Sequence, residues 1–183
     1  TRARNKTEEV DVSIYFGDAD GYDPERRQDL PGWGAIGALC CDLNDDGLPD
    51  LVLVNSSHNT PSRDPGSYVF LNTGSGFDRQ PTWSLPSNLA HGGCCADLNR
   101  DGYLDLVFGG HRSADLQIFY GTENGFDLEH PERIHLELED TECDSPLWIY
   151  LADLNNDGWL DLFVAAYQST NDDVVADYLG MNI

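Results

Sequence analysis

Short apolar runs separated by acidic loops dominate the pattern of hydrophobic and polar residues along this chain. The runs L-V-L-V, L-V-F and L-F-V-A-A-Y begin at Leu51, Leu106 and Leu162, each directly after an acidic loop. An apolar stretch also leads into each loop, for example A-I-G-A-L-C-C before the first and P-L-W-I-Y-L-A before the third. No segment of ten or more residues has the period of a helix, so the pattern predicts β-strands joined by turns.

These strands and loops belong to an internal repeat. The acidic loop occupies residues 42–50, 97–105 and 153–161, so its copies start 55 and 56 residues apart. An aromatic motif that ends in G-Y-D or G-F-D recurs in the same phase, from Ser13, Tyr68 and Gln117. We expect four short strands in each repeat, which is typical of the blade of an all-β propeller.

The repeat also predicts how the chain is divided. Residues 1–11 are an N-terminal lead-in, and residues 12–183 are propeller repeats: a partial blade at about 12–30, blades at 31–86 and 87–140, and an incomplete blade at 141–183. Closed propellers typically contain about four to eight blades. We therefore expect the chain to be part of a longer propeller, or a protomer that completes its ring with a second copy.

Each acidic loop has the composition of a calcium-binding loop. Calcium takes about six to eight oxygen ligands from a bent loop, and glycine at place six permits the bend. Places one, three, five and nine carry Asp, Asn, Asp and Asp in every copy, and place seven can offer its carbonyl. The predicted ligands are Asp42, Asn44, Asp46, Leu48, Asp50, Asp97, Asn99, Asp101, Tyr103, Asp105, Asp153, Asn155, Asp157, Trp159 and Asp161. Three matched copies favour about three Ca2+ ions over ordinary Asp-Asn-Gly turns, with magnesium as the alternative ion.

The motif D-x-N-x-D-G-x-x-D followed by L-V-x-V resembles the FG-GAP/VCBS repeat, the calcium-binding blade of integrin α-subunit heads and of many secreted bacterial propellers. The resemblance extends over nearly the whole chain from about Val12. It implies a β-propeller in which the calcium is structural and is held by the loop residues named above. Members of the family include adhesion receptors, lectins and domains attached to enzymes or toxins, so the resemblance implies no single activity.

The charge balance narrows the range of partners. The chain has 33 Asp and Glu against 10 Lys and Arg, for a net charge of -23. Nucleic acids and anionic membranes attract clustered cations, so neither is an expected partner. No apolar run reaches the roughly 18 residues of a membrane span. Thr1 is not an initiator, and the first residues show no n-region or h-region of a signal peptide, so we expect a processed protein or a part of a longer one. We expect it to be extracellular or at the cell surface.

Five cysteines are present, and none of them forms the C-x-x-C spacing of a zinc site: Cys40, Cys41, Cys94, Cys95 and Cys143. Cys40 and Cys95 lie two residues before their respective loops, so a Cys40–Cys95 bridge between neighbouring blades is conceivable. A bond between sequence neighbours, Cys40–Cys41 or Cys94–Cys95, would be strained. The alternative is that these residues are small buried hydrophobes on an inner strand.

The remaining candidate chemistry points to binding rather than catalysis. No Ser-His-Asp order, nucleophile elbow or phosphate-binding loop is present. His91 and His111 could lie at blade rims or simply be exposed, and the tryptophans could stack on sugars or pack between blades. We expect a non-enzymatic module for adhesion or recognition of a protein or glycan ligand. The alternatives are a propeller domain of a secreted enzyme, with a site on one face or in the central channel, and a purely structural or assembly module.

Overall fold

The fold is built from short antiparallel strands. The computed structural model describes residues 10–56, 65–87, 89–110, 114–136 and 143–168, without the side chains of 143–145 and 166–168. All regular elements in these ranges are strands, which confirms the prediction of an all-β fold. They are β1 (Val12–Asp18), β2 (Gly21–Leu30), β3 (Ala35–Cys41), β4 (Asp50–Asn55), β5 (Ser67–Phe70), β6 (Trp83–Leu85), β7 (Ala90–Ala96), β8 (Asp105–Gly110), β9 (Asp115–Phe119), β10 (Gly121–Thr122), β11 (Gly125–Phe126), β12 (Glu132–His135), β13 (Cys143–Ala152) and β14 (Asp161–Gln168).

The strands form four successive sheets and one small hairpin. Sheet I is the pair β1-β2, sheet II has the order β3-β4-β5-β6, sheet III the order β7-β8-β9-β12, and sheet IV is the pair β13-β14. The hairpin β10-β11 follows β9. Sheets II and III are the four-stranded antiparallel units that the repeat predicts. No sheet closes on itself within the described residues, so this part of the chain is a partial propeller.

Apolar core layers lie between neighbouring sheets. Leu51 and Leu53 of β4 face a layer shared with sheet I, whereas Val52 and Val54 of the same strand face a layer shared with sheet III. In β8 the same alternation sends Phe108 to the layer with sheet II and Val107 to the layer with sheet IV. Successive side chains of a strand point to opposite faces, so a strand covered on both faces is apolar at every position. This is why L-V-L-V and L-V-F are unbroken apolar runs.

Glycines allow sheet IV to lie very close to sheet III. A Cβ atom added at Gly92 of β7 would lie 2.1 Å from the carbonyl oxygen of Leu147, and one added at Gly109 of β8 would lie 2.2 Å from that of Pro146. Both distances are far below van der Waals contact. Any side chain at these two positions would therefore push β13 away from the third core layer, which contains Ile149.

No helix among the described residues is long and apolar enough to cross a lipid bilayer.

Candidate metal-binding loops

Each acidic loop joins the first two strands of a sheet at the same register. Cys41 pairs with Asp50 in sheet II, Ala96 with Asp105 in sheet III, and Ala152 with Asp161 in sheet IV. The place-four residues all have left-handed backbone angles, with φ of 56° at Asp45, 62° at Arg100 and 59° at Asn156, and the place-six glycines follow with φ of 84°, 95° and 85° at Gly47, Gly102 and Gly158. The three copies therefore adopt one turn conformation, and glycine at place six accommodates its strained position.

The side chains of each loop bind the backbone amides of the same loop. In the first loop, Asp42 accepts from the amides of Asp46 at 3.1 Å and Gly47 at 2.8 Å, and Asp46 accepts from the amide of Leu48 at 2.8 Å. The Asn44 side chain donates to Asp46 at 3.0 Å. The same contacts recur at the matching atoms of the second loop and the third loop. Hydrogen bonds thus hold the residues at places one, three and five close to one another.

The place-nine aspartate has a structural role that the sequence pattern did not suggest. Asp50 and Asp105 are fully buried. Asp105 accepts from the amide of Leu98 in its own loop at 2.8 Å and from the amide of Gly121 after β9 at 2.8 Å, and Asp50 does the same with Leu43 and Asn72. Burial raises the pKa of Asp105, although these two amides oppose that shift. The carboxylate therefore fastens the loop to the third strand of its sheet.

The predicted ligand sets are close together in sequence and in space, but their present contacts are with amides. Within the described ranges, no group of three or more His, Cys, Asp or Glu side chains is arranged to hold a metal ion. The donor chemistry nevertheless fits a hard cation, because each loop presents carboxylate and amide oxygens. A carboxylate oxygen that accepts one hydrogen bond retains a lone pair for a cation. Calcium ligation by these residues, including the carbonyls of Leu48, Tyr103 and Trp159, stays a prediction.

Arg100 connects the second loop to the third. Its guanidinium lies 3.4 Å from the ring centre of Trp159 and donates to the carbonyl of Gly158. The pKa of Asp157 is lowered by the Trp159 amide first, then by Asn155, with a smaller contribution from the Arg100 charge. The sequence signal for this contact is the single cation within the three acidic loops. Only the spatial arrangement shows that it reaches the place-seven residue of the next loop.

A groove of about 720 Å³ separates the first loop from the second. It is lined by acidic, amide, hydroxyl and aromatic side chains, among them Asp45, Trp83, Tyr103, Thr122 and Asn124. Trp83 lines this groove, and its ring meets Phe126 edge to face with centroids 5.6 Å apart. Trp83 thus serves in packing and also faces the groove.

A model of the FG-GAP-like repeat matches residues 42–108 and again residues 97–164, together well over half of the chain. The chain belongs to the FG-GAP-like repeat family. Each FG-GAP match begins at the first aspartate of one acidic loop and ends within the strand that directly follows the next loop, so the family unit has the phase of the repeat described above. A search of curated proteins found no match.

FG-GAP repeats form β-propeller-like modules that often bind extracellular ligands, and they are typical of extracellular or surface proteins. Of the two histidines considered as rim residues of these FG-GAP sheets, His91 lies half-buried in β7. His111 lies outside the described residues. Trp148 and Trp159 are more than half exposed.

The cysteines of the FG-GAP sheets meet differently from the Cys40–Cys95 bridge that the sequence made conceivable. Cys40 is exposed, and it is Cys41 whose thiol contacts Cys95. The Cys41 and Cys95 side chains both pack against the core layer between sheets II and III, whereas Cys94 packs on the opposite side of sheet III. The residues that meet across the interface between sheets II and III therefore lie at different places before their loops. Cys41 is one residue before the first loop, whereas Cys95 is two residues before the second. The four described cysteines, Cys40, Cys41, Cys94 and Cys95, are free thiols.

Proposed function

We propose that this chain is a calcium-stabilised segment of an extracellular β-propeller that acts by binding a protein or glycan ligand rather than by catalysis. The observation that carries the proposal is the threefold recurrence of one loop conformation with one hydrogen-bond pattern in a chain of the FG-GAP-like repeat family. Isolated Asp-Asn-Gly turns need no such agreement at three sites. We further propose that the ring is completed by additional repeats of a longer chain or by a second copy.

The proposed calcium ligands are the side chains at places one, three, five and nine of each loop. In the first loop, both oxygens of Asp42, Asp46 and Asp50 already accept one hydrogen bond each. These bonds hold the carboxylates in place and leave one lone pair per oxygen for an ion. The three proposed carboxylate ligands of a loop repel one another, and a divalent ion would offset that repulsion.

Calcium would also reduce the repulsion within the whole chain. Three divalent ions would change the net charge from -23 to -17. Because the loops have this geometry only in the folded protein, ions bind the folded state in preference to the unfolded chain. A ligand at about 100 times its Kd stabilises the folded state by roughly 2.7 kcal/mol per site. We therefore expect the thermal stability of the protein to depend strongly on free calcium.

The test is calcium titration by calorimetry together with thermal melts in calcium and in chelator. Wild type should bind about three ions, and its Tm should fall in chelator and recover with added calcium. Asp46→Asn should remove or weaken at least tenfold one of the three sites. Asp45→Asn is the matched control, because it makes the same change at the adjacent place four, which carries no proposed ligand. Asn also tolerates the left-handed backbone at that place.

Two results would contradict calcium binding by the proposed ligands. One is a Tm that is unchanged by chelator, and the other is an equal loss of calcium affinity in Asp45→Asn and Asp46→Asn. The second outcome would mean that general negative charge, rather than the proposed ligand set, attracts the ion.

The groove between the first and second loops is the proposed recognition surface. Its amide, hydroxyl and aromatic groups suit the hydroxyls and apolar faces of a sugar, and its acidic residues also suit a basic protein segment. A glycan array and a protein-binding screen in calcium would distinguish these ligands. Asn124→Ala should reduce binding, whereas Ser75→Ala, at the equivalent turn position of sheet II outside the groove, should not. Equal binding by wild type and Asn124→Ala would place recognition elsewhere.

A further inference from the structure

Two thiols meet at the interface between sheets II and III. Cys41 is the last residue of β3, directly before the first loop, and Cys95 is the penultimate residue of β7, two residues before the second loop. The Cys41 and Cys95 side chains are within hydrogen-bonding contact of each other. Both side chains are half-buried and pack against the same core layer, so their positions are set by the packing of the two sheets.

The other described cysteines lack this relationship. Cys40 points to the exposed side of β3, and Cys94 packs into the layer between sheets III and IV. Successive side chains of a strand point to opposite faces, so Cys40 and Cys41 lie on opposite sides of β3, and Cys94 and Cys95 lie on opposite sides of β7. Among the residues that the structure describes, Cys41 and Cys95 are therefore the cysteines that face each other across a sheet boundary.

We propose that Cys41 and Cys95 form a disulfide that links two neighbouring blades when the protein meets a small-molecule disulfide in an oxidising medium. Such a bond would close a loop of about 55 residues, from the acidic loop of one blade to the start of the next. Disulfides that close long loops limit the freedom of the unfolded chain the most. The bond would act independently of calcium, because neither cysteine is a proposed ligand.

The reaction is a thiol–disulfide exchange in two steps. One of the two thiols loses its proton, and its sulfur attacks one sulfur of the oxidant RSSR and releases RS⁻, which gives a mixed disulfide. The other thiol then loses its proton, and its sulfur attacks the cysteine sulfur of the mixed disulfide, which releases the second RS⁻. In total two protein thiols are oxidised, and one RSSR is reduced to two RSH.

The test uses the full chain, equilibrated in glutathione buffers of increasing oxidised fraction. Alkylation of the remaining thiols followed by intact-mass spectrometry should show two fewer modified cysteines after oxidation. Trypsin separates residues 28–63 from residues 80–100, and a disulfide should link these two peptides. The double variant Cys40→Ser/Cys94→Ser leaves one cysteine in each peptide and should retain the link. Cys41→Ser and Cys95→Ser should each abolish it.

Oxidation should also raise the Tm of the double variant by about 5 to 15 °C relative to the same variant in reductant. The proposal is wrong if the double variant keeps all its thiols free in oxidised glutathione, or if the wild-type link persists in Cys41→Ser. The decisive variant is the double variant, which changes Cys40 and Cys94 and keeps both members of the proposed pair. Its melt in oxidant is compared with its own melt in reductant. A folding defect in Cys41→Ser or Cys95→Ser therefore does not affect this comparison.

Discussion

The buried carboxylate of Asp105 offers the most direct test of how the loops are attached to their sheets. It is 0% exposed and accepts from two backbone amides, those of Leu98 and Gly121, at 2.8 Å each. Asp105→Ala would leave both amides without this acceptor. An unpaired buried amide costs about 1–3 kcal/mol.

The magnitude follows from two opposing contributions. Losing both hydrogen bonds destabilises the folded state. Removing the carboxylate opposes this loss, because it also removes the cost of burying a charge, which is what raises the pKa of Asp105. We expect Asp105→Ala to lower the free energy of unfolding by about 2–4 kcal/mol.

Asp161→Ala is the matched control at place nine of the third loop. Asp161 accepts from Leu154 at 2.8 Å, but Leu154 is 66% exposed, so water can replace that bond and we expect a loss below about 1 kcal/mol.

The assay is urea unfolding followed by tryptophan fluorescence, with every variant in chelator. Excess chelator removes calcium from all samples, so any difference reports the hydrogen bonds rather than ion binding. Equal losses for Asp105→Ala and Asp161→Ala, or a loss below about 1 kcal/mol for Asp105→Ala, would refute the view that this buried contact fastens the loop to the third strand.

Two further predictions test the packing and the surface of sheet III. Gly92→Ala should lower stability by about 1–3 kcal/mol in urea unfolding, because its Cβ would lie 2.1 Å from the Leu147 oxygen. Gly37→Ala is the control, since the same place in β3 has its nearest neighbour at 3.7 Å, and an equal loss in both would contradict the close approach. The Tyr120 hydroxyl donates to Glu132 at 2.6 Å, which raises the pKa of Tyr120 to about 12. The folded state therefore keeps this proton at pH values above 10.0, the usual pKa of tyrosine. The hydrogen bond stabilises the folded state fully below pH 10, and this stabilisation is lost as the pH rises through 12. In absorbance titrations of both proteins, Tyr120→Phe should lack one tyrosine ionisation near pH 12 that the wild type shows. If the ionisation missing from the variant is instead one near pH 10, the contact with Glu132 is contradicted.

The local features of the fold could be predicted from the sequence because they depend on short-range rules. The short unbroken apolar runs predicted β4 and β8, and the recurrence of Gly47, Gly102 and Gly158 predicted the same turn three times. The repeat length predicted four-stranded sheets, which sheets II and III confirm. Proposed calcium ligation also rests on this local spacing.

Contacts between sheets could not be derived in this way. The pattern matched Cys40 with Cys95 because both lie two residues before a loop, yet Cys41 is the residue that meets Cys95. An offset of one residue between neighbouring strands reverses which face a side chain occupies. The spacing within one strand carries no information about that offset.

The sequence by itself determined the strands, the acidic loops and their repetition, since alternation and turn conformation are set by neighbouring residues. Only the tertiary structure decided which thiols meet, how Asp105 joins its loop to Gly121, and how Arg100 reaches Trp159. These contacts depend on how closely and at what offset the sheets stack. That stacking is fixed by the core layers and by glycines such as Gly92, which act together across segments far apart in the chain.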